Sequence, residues 1–378
     1  YRAYVGKDGQ PADYSPENVP LRPKHWLKVA TVPLRKGDLV MVAGYPGRTN
    51  RHRTAAEVKD AVEWSYPQRI ARAEEALQVL RVVAKSDAQA AVKASPWIFG
   101  IENSLKNARG MMDGLVKGGL AGQKEELENR LMAWITSDSA RQAKYGQVLA
   151  EMAALDVEYK KNRQRDSDMT GIFFSSMLNT ATTLVRMAEE RPKADADRDP
   201  QFQERNWKRM RGRQQSMSRR YNQTLDKAML TLALRRAARR PELNRDWLSL
   251  LVGDSFDDAA ITRAVDQLYE ATTLEDAAIR LKLLDTATTA ELASSSDPFV
   301  QVAVKLRPLL KELEERSKRY DGAMTLLKPR YIEALREYSK GGLYPDANGT
   351  LRITYGTVRG YKPRPDADMY EPFTVLPG

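Results

Sequence analysis

The chain has 378 residues, 42% hydrophobic and 29% charged, which allows more than one domain and a substantial core. It contains no cysteine, which excludes disulfides and thiolate chemistry, and no apolar run near the ~18 residues of a membrane span, so no membrane partner is expected. The net charge of +11 favours acidic surfaces or nucleic acid as partners, but is also common on plain soluble proteins.

Tyr1 to Val5 alternates aromatic and small residues like the middle of a strand, and lacks the basic start and apolar stretch of a signal peptide. A chain starting there is expected to be processed or incomplete. Gly6-Lys7-Asp8-Gly9 supplies a turn, and 13–23, with three prolines, reads as an extended connector. The Val-rich run from Asp38 to Ala43 predicts a buried strand, ended by Gly44-Tyr45-Pro46-Gly47 because Pro fixes φ and Gly reaches angles other residues avoid.

Helical patterning begins at Thr54, whose spacing to Glu57 is that of a capping box. Pro67 is expected to kink or divide this helix near Tyr66. Ile70, Ala73, Leu77, Leu80 and Ala84 then fall on one face. Further helices are predicted over 103–117, 124–135, 140–165, 172–190, 203–239, 259–271 and 275–285, with a polar loop at 193–200. Asp297-Pro298 opens a long helix whose apolar seam runs from Ala303 to Tyr338, broken only at Ser317, and which requires partner helices. Gly341-Gly342 stops it. Turn residues 343–350, with Asn348-Gly349 as a tight-turn signal, lead into a second β-like stretch from Thr350 to Gly360. No fixed-period repeat is present, which argues against a regular solenoid. The fold class is therefore read as α+β: a β-framework interrupted by one large all-α insertion.

Recognisable catalytic signatures are few. The only histidines, His25 and His52, lie in a Pro-rich connector and an Arg-flanked loop, beside no nucleophile motif. Zinc has no sequence signature, and Asp195-Ala196-Asp197-Arg198-Asp199 departs from a calcium loop because Pro200 and Asn206 occupy the positions needing Gly and Glu, so it reads as a solvated linker. No cofactor is expected. The glycines at 44–47 and 110–119 lack the spacing of a phosphate loop. Arg205-Asn206-Trp207-Lys208-Arg209-Met210-Arg211-Gly212-Arg213, with Arg219-Arg220 and Arg235-Arg236 beyond, is the best nucleic-acid candidate. On a helix these arginines point in several directions, so nucleic acid is not the expected partner. Ser95 to Ser104 combines Trp97 and Phe99 with Gly100, Glu102 and Asn103, a segment able to present an amide at the lip of a pocket, where it can accept a hydrogen bond from an ammonium.

Two end motifs carry a resemblance. Val42-Ala43-Gly44-Tyr45-Pro46-Gly47-Arg48-Thr49-Asn50, with Tyr1 to Gly6, Asp13-Tyr14-Ser15 and Asn18-Val19-Pro20 upstream, is the first. Tyr344-Pro345-Asp346-Ala347-Asn348, with Thr350-Leu351-Arg352 and Tyr355-Gly356, is the second. Together they resemble bacterial serine peptidases of the dipeptidyl-peptidase 7 and 11 family, over essentially the whole chain. The resemblance implies a partial chymotrypsin-like double β-barrel at 1–53, a helical cap domain at 54–341 inserted in the second barrel, and a return to that barrel at 342–378. It implies a cap that closes the cleft beyond two substrate residues, so that dipeptides leave free peptide N-termini, and it places the amine-binding asparagine on Asn103. It also implies oligopeptide substrates with a free N-terminus, a homodimer for the complete protein, and a periplasmic or cell-surface location in a Gram-negative bacterium. The family's catalytic His and Asp are expected upstream of Tyr1 and its Ser beyond Gly378, so this chain is expected to lack the triad and to be inactive alone. A stand-alone, non-catalytic helical protein binding peptides or nucleic acid is the alternative expectation.

Overall fold

The Val-rich run forms β3, Leu39–Gly44, and pairs antiparallel with β4, Arg352–Thr357, in a register from Leu39 opposite Thr357 to Gly44 opposite Arg352. The two β pieces expected to meet therefore do so across the length of the helical insertion. In this computed structural model, which describes residues 2–373, they belong to a unit of Tyr1–Arg51 with Pro345–Gly378. A shorter ribbon there pairs β1, Tyr4–Val5, with β2, Val19–Pro20; Tyr1, expected within that strand, lies outside the described residues. The loop before β4 is tied to the turn after β3. Gly349, at φ +78°, donates its N–H to Pro46 O at 3.0 Å, and Thr49 Oγ1 donates to Asp346 Oδ1 at 2.6 Å. β3, expected to be buried, is instead open: Leu39 is 68% and Val42 70% exposed, because the ribbon has only two strands and its faces are left open. A continuous apolar run predicts cover on both faces, and in this unit neither face has it.

The second unit, His52–Tyr344, is helical. Thr54 caps α1, Ala55–Asp60, with the full capping box to Glu57. A π-helical turn at Ala61–Ser65 follows, and α2, Tyr66–Ser86, starts with Pro67 in its first turn, so the proline divides the helix where expected. Next come α3, Ala88–Lys117, α4, Leu120–Thr136, α5, Ser139–Tyr145, α6, Val148–Lys160, and α7, Arg163–Gly171. After these lie α8, Ser176–Glu190, α9, Trp207–Arg220, α10, Gln223–Ala238, and α11, Pro241–Val252. The last are α12, Asp258–Ala271, α13, Ala277–Thr286, α14, Thr289–Ala293, and the long α15, Pro298–Tyr338.

Several predicted helices have different bounds, among them 172–190, whose α-helix begins only at Ser176, and 124–135, whose helix begins at Leu120. The stretch 140–165 is cut by Gly146-Gln147 and Lys161-Asn162 into α5, α6 and the start of α7. The stretch 203–239 is cut at Tyr221-Asn222, where Asn222 takes extended backbone and caps α10 by accepting from Leu225 N at 3.0 Å. The helix expected from Asn103 begins fifteen residues earlier, at Ala88, where Asp87 accepts from Gln89 N at 2.8 Å and an Ala-rich run follows. The loop at 195–199 is also no solvated linker. Arg198 is buried there, bonded to Asp195 at 2.9 Å, Glu204 at 3.1 Å and the Arg191 carbonyl at 2.9 Å.

The largest core gathers Trp247, Phe299, Leu184, Leu234 and Leu306 from α8, α10, α11 and the first half of α15. The second half of α15 uses its seam differently, burying Leu327, Tyr331 and Leu335 against Leu131, Ile135 and Tyr145 of α4 and α5. One seam thus joins two cores, as its length required. Two buried polar residues fix how helices meet. Asp226 of α10 accepts from Ser176 N at 2.6 Å, Met177 N at 3.2 Å, Ser175 Oγ at 2.9 Å and Tyr269 Oη at 2.6 Å, joining α10 to the start of α8 and to α12. Arg280 of α13, fully buried, donates to the Leu274, Glu275 and Gln214 carbonyls at 2.6, 2.8 and 3.0 Å and to Ser218 Oγ at 2.8 Å, which anchors α9. Burial pushes its guanidinium below the ordinary value.

Candidate functional site

Asn103 sits in the middle of α3, exposed, between Glu102 and Ser104. The segment around it is helical surface, and Pro96 lies inside the helix without ending it. α2 and α3 form a helical hairpin around Asp87, with a groove of roughly 730 Å3 between them. Leu77 and Leu105 form its apolar floor, and ion pairs cross it: Arg81 to Glu102 at 2.5 Å, and Arg109 to Glu74. Arg69 of α2 donates to Ser104 Oγ at 2.7 Å. Asn103 lies beside this cross-braced pair and does not line the groove. Of its expected companions, Trp97 packs against Leu80, Leu225 and Met229, whereas Phe99 is 75% exposed. Asn103 is thus an exposed residue on a helix paired with α2.

The two histidines are placed apart from any nucleophile–base pair. His25 is exposed, and His52 Nε2 lies 2.9 Å from the Tyr344 carbonyl oxygen, joining the two ends of the helical unit. The basic stretch named as a nucleic-acid candidate is neutralised in part. Arg211 pairs with Asp285 at 3.0 Å, Arg235 with Asp258 at 3.0 Å, and Arg236 and Arg239 both with Glu75, at 2.5 and 3.0 Å. Trp207, within that stretch, packs on the main core and donates its indole N–H to the Phe202 carbonyl at 2.7 Å. Among the described residues, no helix is long and apolar enough to cross a membrane.

A different cavity, of roughly 520 Å3, lies between α8 and α9 and was not foreseen. Its walls bring Arg209, Arg213 and Arg220 together, and Trp97 of α3 also lines it. The only sequence signal for it was the four-residue step from Arg209 to Arg213, which places both on one helix face.

Residues 1–378 match the peptidase S46 family, and the chain belongs to it. Among individual relatives, the Asp/Glu-specific dipeptidyl-peptidase of Shewanella putrefaciens is 34% identical over 384 residues, a match covering 100% of this chain and 51% of that protein. Dipeptidyl-peptidase 7 of Capnocytophaga gingivalis is 28% identical, covering 95% of this chain and 49% of its own length. The crystal structure of Porphyromonas endodontalis DPP11 in complex with the dipeptide Arg-Glu is similar in fold, with a TM-score of 0.70 at 21% identity, over 98% of this chain and 52% of that one. The chain spans about half the length of the curated relatives it matches. Its fold, mostly helical with few strands, is that of the matching half of DPP11.

Proposed function

We propose that this chain is the interior portion of a serine-type dipeptidyl aminopeptidase, and that its helical unit supplies the cap and the recognition of the substrate's free N-terminal amine. The observation that carries the reading is the pairing of β3 with β4, which returns the chain to one ribbon after the whole helical unit. Membership of the S46 family and relatives named as dipeptidyl-peptidases support it. In this reading the ribbon is part of a chymotrypsin-like double β-barrel. The open faces at Leu39, Met41, Val42 and Tyr355 are apolar surface of the kind a barrel covers.

An exopeptidase of this kind must hold an ammonium and stop the chain beyond it. Asn103 can do the first. Its amide oxygen is an acceptor for the ammonium, and α3, braced to α2 by Arg81–Glu102 and Arg69–Ser104, holds the amide in place. Cleavage would proceed through an acyl-enzyme formed by a serine of the complete protein. Oligopeptides with free N-termini are the substrates, and the same resemblance supports a homodimer in the periplasm or at the cell surface.

Replacing Asn103 by Ala in the complete protein tests the assignment. Loss of one hydrogen bond to a charged group should lower kcat/KM for free N-terminal substrates by roughly 10- to 100-fold. An unchanged kcat/KM would show that Asn103 does not bind the amine.

A further inference from the structure

The geometry points to a second binding site in the helical unit: the α8–α9 cavity is built to hold a small molecule carrying two or more phosphate groups. Arg209, Arg213 and Arg220 project from one side of α9 into it. The guanidinium groups of Arg213 and Arg220 make no ion pair or hydrogen bond among the described residues, and the one side-chain bond of Arg209 is to the neutral Asn206 side chain, at 3.1 Å. Arg211, Arg235 and Arg236 of the same basic stretch are matched to carboxylates, whereas the three guanidinium groups lining the cavity are not.

No Asp or Glu lines the cavity among the described residues. The acids closest to its walls are already committed. Asp199 and Glu314 flank the fourth arginine, Arg186, at 3.2 and 3.5 Å, and Glu275 accepts from Tyr221 Oη at 2.5 Å. Asp226 occupies the start of α8, so the amides there are taken. What remains at that end are the Ser176 hydroxyl and the Asn179 amide, neutral donors on the wall facing α9. Cations on one wall and neutral donors on the other suit an oxyanion, which accepts from both.

The charge count selects the class. Balancing three guanidinium groups with carboxylates takes three separate groups, whereas a phosphate carries roughly −1.5 to −2 near neutral pH, so two suffice in one compact ligand. A nucleic-acid strand would need the basic track to continue beyond the cavity, and there Arg211, Arg235, Arg236 and Arg239 are paired with acids. The site is separate from the α2–α3 face that carries Asn103, so its occupancy need not block peptide binding.

Isothermal titration of the protein with tripolyphosphate tests this. The expected result is saturable one-to-one binding that weakens as salt rises and falls roughly tenfold or more for each of Arg209→Gln and Arg213→Gln. Arg211→Gln, outside the cavity and paired to Asp285, should leave binding unchanged. Tripolyphosphate should also raise the melting temperature of the parent protein but not that of the double variant. These positions are exposed, so both variants should fold; if the double variant does not, Arg220→Gln replaces it in the same comparison. Absence of binding at millimolar tripolyphosphate would overturn the proposal. Binding untouched by these substitutions, or binding of citrate or a short single-stranded oligonucleotide that tripolyphosphate fails to displace, would also overturn it.

Discussion

Asp226→Ala examines the least expected joint of the helical unit. The carboxylate is 1% exposed and takes four hydrogen bonds: two from backbone N–H groups at the start of α8, and one each from Ser175 and Tyr269. Truncation leaves Ser176 N and Met177 N without that acceptor in a water-poor site, at roughly 1–3 kcal/mol each. The hydroxyls lose less, because Ser175 Oγ and Tyr269 Oη lie 3.1 Å apart and can bond each other. Burial, followed by the Asp226 charge, pushes the Tyr269 phenol far above its ordinary range, so it remains a donor at any working pH. The sum is a destabilisation of about 3–5 kcal/mol, or a fall in melting temperature on the order of 10 °C. Asp226→Asn keeps the shape and one acceptor oxygen and should lose less than half as much. Thermal unfolding followed by circular dichroism at 222 nm reads both. A drop of under about 1 kcal/mol for Asp226→Ala would refute the view that this carboxylate holds α8 against α10.

Glu128 and Glu75 give opposite pH signatures. Burial raises the Glu128 carboxyl above its ordinary value, outweighing the hydrogen bond from Ala55 N, so its contribution is full below about pH 4.5 and is lost as pH rises through the folded value. Glu128→Gln, which keeps an acceptor for Ala55 N, should therefore melt higher than the parent at pH 7 and alike at pH 4; equal melting at both would contradict this. Around Glu75, burial works to raise the carboxyl, but hydrogen bonds from Arg236 and Arg239 together hold it below its ordinary value. Its contribution is present above about pH 4.5 and lost as pH falls through the folded value, so Glu75→Gln should flatten the acid limb of a melting-temperature profile.

What the sequence made legible was local. Thr54 with Glu57, Pro67 and Asp297-Pro298 each satisfy or delete backbone donors at a helix start, and all mark real starts. The end motifs marked β3 and β4, and their pairing followed. The early start of α3 left a weak signal, because Pro96 in an Ala-rich helix removes one hydrogen bond and the packing of Ala90 and Ala94 outweighs that loss. Asn222 was overlooked as a cap because its flanks, Met217 and Leu225, both suit a helix. Asp226 and Arg280 left no pattern, since a charged residue on a buried face reads as an exposed one until its partners are known. The same limit concealed the α8–α9 cavity. Arg211 and Arg213 look alike in sequence, and only tertiary contacts give Asp285 to the first and no ion-pair partner among the described residues to the second. Asn103 was singled out by its neighbours and the resemblance; its helical setting came from the structure.

The central claim, a peptidase that counts two residues from a free amine, is tested most directly with one peptide in two forms. The complete protein should be incubated with a decapeptide and with its N-acetylated counterpart, and the products followed by mass spectrometry. The account predicts dipeptides released in succession from the free form and little or no release from the acetylated form. Single residues, internal fragments, or equal cleavage of both forms would contradict it.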